Sequence, residues 1–289
     1  RLSYCTKPDI AVITNIGNAH IGRLGSRNEI AKAKCEITSS LSSNGVVIIP
    51  ANDPLLERTL RQTWTGRIVR VELLESKDIE RSREDAASSP SFLRSKYVAN
   101  VDLEKGYLSL ENHIAKLPLE GKHNAINFLF AIAVARELNV SWENIENVTI
   151  NPLRGRNNKI KFGEITVFDE TYNASPESVK AALELLINQP GRHFAVLGTM
   201  HELGEYSLTL HREIARKALN IGLDGLVIVS NGPEAEIMYS EAKSIQYLEL
   251  VSLAEDALIP LKSWLKPGDN LLIKGSRDLK LEKLISLLK

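Results

Sequence analysis

The sequence predicts an α/β protein whose second half is a parallel sheet with helices on both faces. Two observations carry this. From Ile165 onward short apolar runs alternate with helix-period segments. Strand 165–168 precedes helix 176–187, strand 194–197 precedes helix 207–220, and strand 226–230 precedes helix 233–242. Strand 247–250 then precedes helix 253–264, and strand 270–274 precedes helix 278–288. Strands separated by helices of that length form parallel βαβ units. Second, the apolar runs are continuous rather than alternating, as strands buried on both faces must be.

The first half reads as a mixed sheet with helices. Ile10-Ala-Val-Ile-Thr14 is a buried strand, followed by the loop Asn15-Ile-Gly-Asn-Ala-His20. A helix then starts at Ser26, which with Glu29 forms a capping box that satisfies two orphan backbone N–H groups. Ile30, Ala33, Ile37 and Leu41 recur at helical spacing and define its inward face. Val46-Val-Ile-Ile49 is a second strand, stopped by Pro50 and the turn residues Asn52-Asp53-Pro54. Residues 67–74, 96–103 and 106–112 read as strands, the last two joined across Lys105-Gly106. The polar, Ser-rich stretch from Ser76 to Ser95 reads as a surface excursion. A second helix runs from about His123 to Leu138 with Phe128, Ile132 and Ala135 inward. Asn151-Pro-Leu-Arg-Gly-Arg-Asn157 is linker-like and separates the two halves.

Composition narrows the function classes. A chain of 289 residues suggests about two domains. Thirty-six basic and 36 acidic residues give a formal net charge of +0, so no nucleic-acid or anionic-membrane partner is favoured. No apolar run approaches the ~20 residues that span a bilayer. The two cysteines, Cys5 and Cys35, lack metal-type spacing and fit a reducing cytoplasm. No signal peptide is visible. The start, Arg1-Leu-Ser-Tyr-Cys-Thr-Lys-Pro-Asp9, carries no initiator Met and reads like a chain entered partway through a domain. Neither a G-x-x-x-x-G-K-[ST] P-loop nor a G-x-G-x-x-G fingerprint occurs.

The chemistry is expected beyond the carboxyl ends of the strands. These positions hold Asn15, Asn18 and His20; Asp169, Tyr172, Asn173 and Ser175; Gly198 and Glu202; and Lys274-Gly275-Ser276-Arg277. They are groups of the kind that hold phosphates, carboxylates and Mg²⁺. Ser175-Pro176-Glu177 is a helix start whose free N–H groups suit an anion, or simply a good cap. Lys274-Gly-Ser-Arg277 sets two cations and a hydroxyl around a glycine that permits close backbone approach. On the second helix His123, Asn124 and Asn127 cluster on one polar edge near Gly121. The most unusual position is Lys34, four residues after Ile30 and three before Ile37, on the inward face. A buried ammonium lowers its pKa, pairs with an anion or is chemically changed. The plainer alternative is a lysine at the margin of the stripe whose head snorkels to water.

Taken together these motifs resemble the Mur ligase family. Ile13-Thr-Asn-Ile-Gly-Asn-Ala-His20 and Gly25-Ser…Ile30-Ala-Lys-Ala-Lys-Cys-Glu-Ile37 resemble its central-domain signature. Leu117-Pro-Leu-Glu-Gly-Lys-His-Asn-Ala-Ile-Asn127 resembles its Gly-x-His-Asn-x-x-Asn helix. Phe168-Asp-Glu-Thr-Tyr-Asn-Ala-Ser-Pro176, Leu197-Gly-Thr-Met-His-Glu-Leu-Gly204 with His211, and Lys274-Gly-Ser-Arg277 are similar to segments of the branch that joins D-alanyl-D-alanine to UDP-N-acetylmuramoyl-tripeptide. Any one match is weak; six in order along nearly the whole chain are specific.

The resemblance implies a central ATPase domain over residues 1–151, missing its N-terminal part, and a Rossmann-like C-terminal domain over residues 152–289. It implies an ATP- and Mg²⁺-dependent reaction in which phosphoryl transfer activates a carboxylate as an acyl phosphate, which the amine of D-alanyl-D-alanine then attacks. His20 matches a Mg²⁺-binding histidine, and Lys34 a lysine that is carbamylated and helps hold that ion, so both count as catalytic. His123, Asn124 and Asn127 match a nucleotide-binding helix. Arg156 matches a linker arginine on ATP, and Asp169, Tyr172 and Asn173 a segment that closes over the nucleotide. Lys274, Ser276 and Arg277 match a loop near the peptide substrate or the incoming dipeptide. The expected protein is cytoplasmic and monomeric, with no nucleic-acid partner and no membrane insertion. Ser175 stands where the family has Asn, and Thr199 where it has Asp. The P-loop and its acidic metal ligand are expected upstream of residue 1, so this polypeptide alone is expected to be inactive. Rival readings are a cyanophycin or folylpolyglutamate synthase-like ligase, a Rossmann-type oxidoreductase on residues 165–289, and a non-catalytic binding protein derived from a ligase.

Overall fold

Continuous apolar runs become the inner strands of two sheets, because only a strand covered on both faces can bury every side chain. The computed structural model describes residues 2–75, 97–151 and 153–288; the stretch read as a surface excursion lies outside them. The chain divides into two compact units, Arg1–Gly17 with Ser26–Ile150, and Asn18–Gly25 with Asn151–Lys289.

Among its described residues the first unit holds six strands in the spatial order of the chain: β1 (Ile10–Val12), β2 (Val46–Pro50), β3 (Arg67–Glu75), β4 (Tyr97–Asp102), β5 (Tyr107–Leu110) and β6 (His113–Lys116). The first four pair in parallel and the last two antiparallel. The helix Lys122–Glu137 packs Phe128, Leu129 and Ile132 against Val46, Ile48, Val69, Val71 and Leu108 to make the core. Several elements were not foreseen, the short helices Leu2–Thr6, Ile21–Leu24 and Glu143–Glu146 among them. The helix Pro54–Thr63 starts on Asp53, whose carboxylate accepts the N–H of Leu56 at 2.9 Å, with Pro54 in the first helical turn. Strand β6 follows β5 across a turn in which Glu111, not glycine, takes a positive φ of 55°. That substitution hid the hairpin from turn chemistry.

The capped helix differs from expectation in phase. Ser26 accepts the N–H of Glu29 at 3.3 Å, but the Glu29 carboxylate pairs with Lys32 at 2.7 Å. Ile30, Ala31 and Cys35 are the buried positions, while Ala33 and Ile37 are half-buried. The α-helix ends at Cys35, and Glu36–Ser40 winds as a tighter 3₁₀ segment. Three residues per turn bring Thr38, rather than Ile37, under Cys35. Lys34 lies between Ile30 and Ala31 around the helix and is half-buried.

The second unit orders its strands β11-β10-β9-β12-β8-β7. They are β7 (Asn158–Phe162), β8 (Ile165–Glu170), β9 (His193–Gly198), β10 (Gly225–Val229), β11 (Tyr247–Val251) and β12 (Asn270–Lys274). All pair in parallel except the edge strand β7, which the sequence reading missed. Leu261, Leu284 and Ile285 from the helices Leu258–Trp264 and Glu282–Leu287 cover one face, over Val167, Val196, Val227 and Ile273. The chain returns from β11 to insert β12 between β8 and β9, so the loops at their carboxyl ends converge on β12.

Candidate functional site

The convergence is tight because glycines face each other. A Cβ on Gly275 would lie 2.9 Å from the Gly198 Cα and 2.7 Å from the Leu281 Cδ1. The glycine of Lys274-Gly-Ser-Arg277 thus serves the packing of β12 against β9, and only Gly lets the two backbones meet there.

The loop after β8 is held by its own carboxylates. Asp169 is 5% exposed; its Oδ2 accepts the Gly155 N–H at 2.9 Å, and its Oδ1 accepts the Thr171 hydroxyl at 2.7 Å. Gly155 has a φ of +75°, and its carbonyl accepts the Tyr172 N–H at 3.0 Å. This brings the neighbouring Arg156 over the Tyr172 ring, 4.0 Å from its centroid, while Arg277 lies 5.1 Å from the same centroid. Two guanidinium groups gathered on one exposed ring make an anion-attracting feature. Ser175 closes the loop as a full capping box with Ser178. Its hydroxyl, at a position where the resemblance expected asparagine, is engaged by the helix.

The loop after β9 is fixed from three sides. His211 is fully buried; its Nε2 accepts the Met200 N–H at 2.8 Å and its Nδ1 donates to the Ser207 carbonyl at 2.7 Å. That geometry requires the neutral ring, and burial pushes its pKa below the usual histidine value. Ser276 accepts the His201 N–H at 3.1 Å. Thr199 donates its hydroxyl to Ser230 at 3.0 Å. Glu202 has a φ of 61° and pairs with the Nδ1 of His20, itself at 64°. The His20 bond is the main cause holding the Glu202 carboxyl below its ordinary range. Gly22 donates its N–H to the Glu202 carbonyl at 2.8 Å, and a Cβ on Gly22 would meet the Gly204 N at 2.2 Å. Asn18 donates both backbone and side-chain N–H groups to Glu177 at 2.8 Å. The segment Asn18–Gly25 is thereby part of the second unit.

These loops line an open cleft of about 170 Å³, with Ser175, His201, Glu202, Ser276 and Arg277 on its walls. The Arg277 guanidinium and the carboxylates of Glu202 and Asp278 face it together. Such a lining suits a small ligand bearing both charges. Lys274 does not join it. The ammonium is 3% exposed and paired with Glu170 at 3.2 Å, and burial lowers its pKa against the opposing pull of that carboxylate. His201, Glu170, Glu177 and Asp278 were absent from the sequence-based choice of site residues. Glu170 was legible in principle, as a second acid at the end of a buried strand in line with Lys274.

In the first unit Lys34 donates to the Asn15 carbonyl at 2.7 Å and lies 3.4 Å from its Oδ1. On the helix that begins after Gly121, Asn124 is buried and donates to the Glu120 carbonyl at 2.6 Å. Asn127 is exposed and His123 half-buried. The polar edge read from spacing is thus split between an inward Asn124, which secures the helix start, and an outward Asn127. Lys34, His123, Asn124 and Asn127 lie in the first unit; His20, Arg156, Asp169, Tyr172, Asn173, Lys274, Ser276 and Arg277 lie in the second. Among the described residues no group of three or more His, Cys, Asp or Glu side chains is arranged to hold a metal ion. Nor is any helix among them long and apolar enough to cross a membrane.

Two family models match the chain in tandem and define its class. Residues 1–135 match the Mur ligase middle domain, and residues 155–277 match the Mur ligase, glutamate ligase domain. The chain belongs to the Mur ligase family. It is 36% identical to a UDP-N-acetylmuramoyl-tripeptide–D-alanyl-D-alanine ligase of Synechocystis sp. over 290 residues, covering 99% of this chain and 59% of the relative. The enzyme of the same description from Mycobacterium leprae is 32% identical over 99% of the chain and 60% of its own length. Among solved structures, MurF from Acinetobacter baumannii aligns with a TM-score of 0.82 at 27% identity, covering 99% of this chain and 60% of that one. MurF from Thermotoga maritima, in complex with ADP, aligns at 0.77 with 26% identity, covering 99% and 63%. The chain spans about three-fifths of the length of these curated relatives.

Proposed function

We propose that this chain is the middle and C-terminal part of an ATP-dependent ligase that adds D-alanyl-D-alanine to UDP-N-acetylmuramoyl-tripeptide in peptidoglycan precursor synthesis. The observation that carries the reading is the 36% identity, along 99% of the chain, to a relative bearing that description. The cavity adds support, because D-alanyl-D-alanine is a small zwitterion. In this reading Arg277 and Ser276 receive its carboxylate, and the acidic side of the lining, Glu202 and Asp278, draws its ammonium.

The reaction transfers the γ-phosphoryl group of ATP to the tripeptide carboxylate, releasing ADP and leaving an acyl phosphate. The free amine of D-alanyl-D-alanine attacks that carbonyl, phosphate departs with the electron pair of the broken C–O bond, and the amine loses a proton as the amide forms. Positioning and charge neutralisation carry most of such catalysis. We assign nucleotide contacts to Arg156, Asp169, Tyr172 and Asn173, and to His123, Asn124 and Asn127. The buried, internally bonded Asp169 and Asn124 act in this reading by holding their loops. A domain boundary at about Asn151, a cytoplasmic location and a monomeric state belong to the same proposal.

Mg²⁺ was expected at His20 and Lys34. As they stand these residues do not fit it: Lys34 is a hydrogen-bond donor to Asn15, and His20 pairs with Glu202. Mg²⁺ favours oxygen ligands, which Lys34 supplies only as a carbamate. ADP release by the full-length protein should require both the tripeptide and D-alanyl-D-alanine. Release that is indifferent to the dipeptide, or that needs a glutamate acceptor instead, would overturn the reading. In the same assay Lys34→Ala should lose activity that bicarbonate does not restore.

A further inference from the structure

Lys274 reads in sequence as a residue that meets a ligand, yet its contacts are internal. The register of β12 against β8 sets Lys274 directly beside Glu170. The Nζ donates to Glu170 Oε2 at 3.2 Å and to the Asn173 carbonyl at 3.1 Å. The other oxygen of Glu170, Oε1, accepts the Asn157 N–H at 2.9 Å. Asn157 has a positive φ of 47°, so this bond fixes a residue in an uncommon conformation. Its neighbour Arg156 lies over Tyr172, and Tyr172 adjoins Asn173. Lys274 therefore reaches both members of the Arg156–Tyr172 pair, one through Glu170 and Asn157, the other through Asn173.

We infer that Lys274 is a positioning residue, which neutralises Glu170 and anchors Asn173 so that Arg156 and Tyr172 are held in register for the nucleotide, and that it touches no substrate itself. An ammonium suits this task because its three N–H groups serve acceptors at two points, the end of β8 and the loop that follows it. Removing one partner of a buried pair leaves an uncompensated charge, whereas removing both leaves a neutral site. That asymmetry separates a positioning lysine from a ligand-binding one. The nucleotide part of the inference rests on the function proposed above; the loop-holding part does not.

The test compares Lys274→Met with Lys274→Met/Glu170→Gln in the full-length protein; the glutamine keeps an acceptor for Asn157. Lys274→Met should speed exchange of the Asn157 amide, read by NMR, on the order of 10-fold or more. It should raise the KM for ATP on the order of 10-fold and leave the KM for D-alanyl-D-alanine unchanged. The double variant should return Asn157 exchange to within about 3-fold of the parent and lower the KM for ATP only in part, because the Asn173 carbonyl still lacks its donor. Failure of the single variant to fold, with the double variant folding, supports the inference, because the lone Glu170 charge is then the cause. A double variant no better than the single, or a rise confined to the KM for D-alanyl-D-alanine, overturns it, as does failure of both to fold. If the protein turns over no ATP, the proposed function fails and Asn157 exchange still decides whether Lys274 holds the loop.

Discussion

His211 shows how a buried residue governs a loop it does not belong to. Its Nε2 must stay unprotonated to accept the Met200 N–H, and burial lowers its pKa from 6.5. Below about pH 6.5 the unfolded chain takes up a proton that the folded chain refuses, so stability falls as pH falls through this range. Thermal unfolding followed from pH 8 to pH 5 should show this loss, and His211→Ala should flatten the slope. The same substitution strands the Met200 N–H and should cost roughly 1–3 kcal/mol, apart from the cavity it leaves. An unchanged pH slope in His211→Ala would assign the acid sensitivity to another group. Lys34 carries the opposite lesson. Helical spacing placed it inward, and the structure leaves it half-buried with its Nζ bonded to Asn15.

Elements meet here through small residues and caps. The helix Pro176–Ile187 begins on a reciprocal box between Ser175 and Ser178. Ser175→Ala should lower stability by about 1 kcal/mol, measurable by urea denaturation. Gly198 and Gly275 let β9 and β12 end side by side. Gly275→Ala should cost roughly 1–3 kcal/mol, because the methyl group meets backbone that cannot retreat. Retention of full stability in that variant would show that the two strand ends can part. The cap was readable from Ser-Pro-Glu, because N-cap chemistry is local. The glycine contact was not, since nothing in Lys-Gly-Ser-Arg says which backbone the glycine must approach. The edge strand β7 escaped notice although a signal was present: its Lys159 and Lys161 alternate with half-buried residues, and Gly163, at a φ of 59°, makes with Glu164 the two-residue turn into β8.

At the scale of the whole molecule, each unit has its own sheet and core, but the division does not follow the chain. Asn18–Gly25 packs with the second unit through Gly22 and Gly204, through Asn18 and Glu177, and through His20 and Glu202. A fragment of residues 151–289 should therefore fold while losing amide protection around Glu202 and Gly204. Hydrogen exchange that matches the longer chain at those positions would show that Asn18–Gly25 adds nothing to the loop. The sequence by itself determined the alternating architecture of the second unit and the order of its motifs, because hydrophobic period, caps and strand ends are written within ten or fifteen residues. It also determined the family, since six motifs in order are a property of the chain. The tertiary structure decided which of those residues meet. It drew Lys274 inward onto Glu170, joined His20 to Glu202 and left Lys34 on Asn15, because charge pairing and backbone approach depend on strand register and close packing between segments 19 to 182 residues apart.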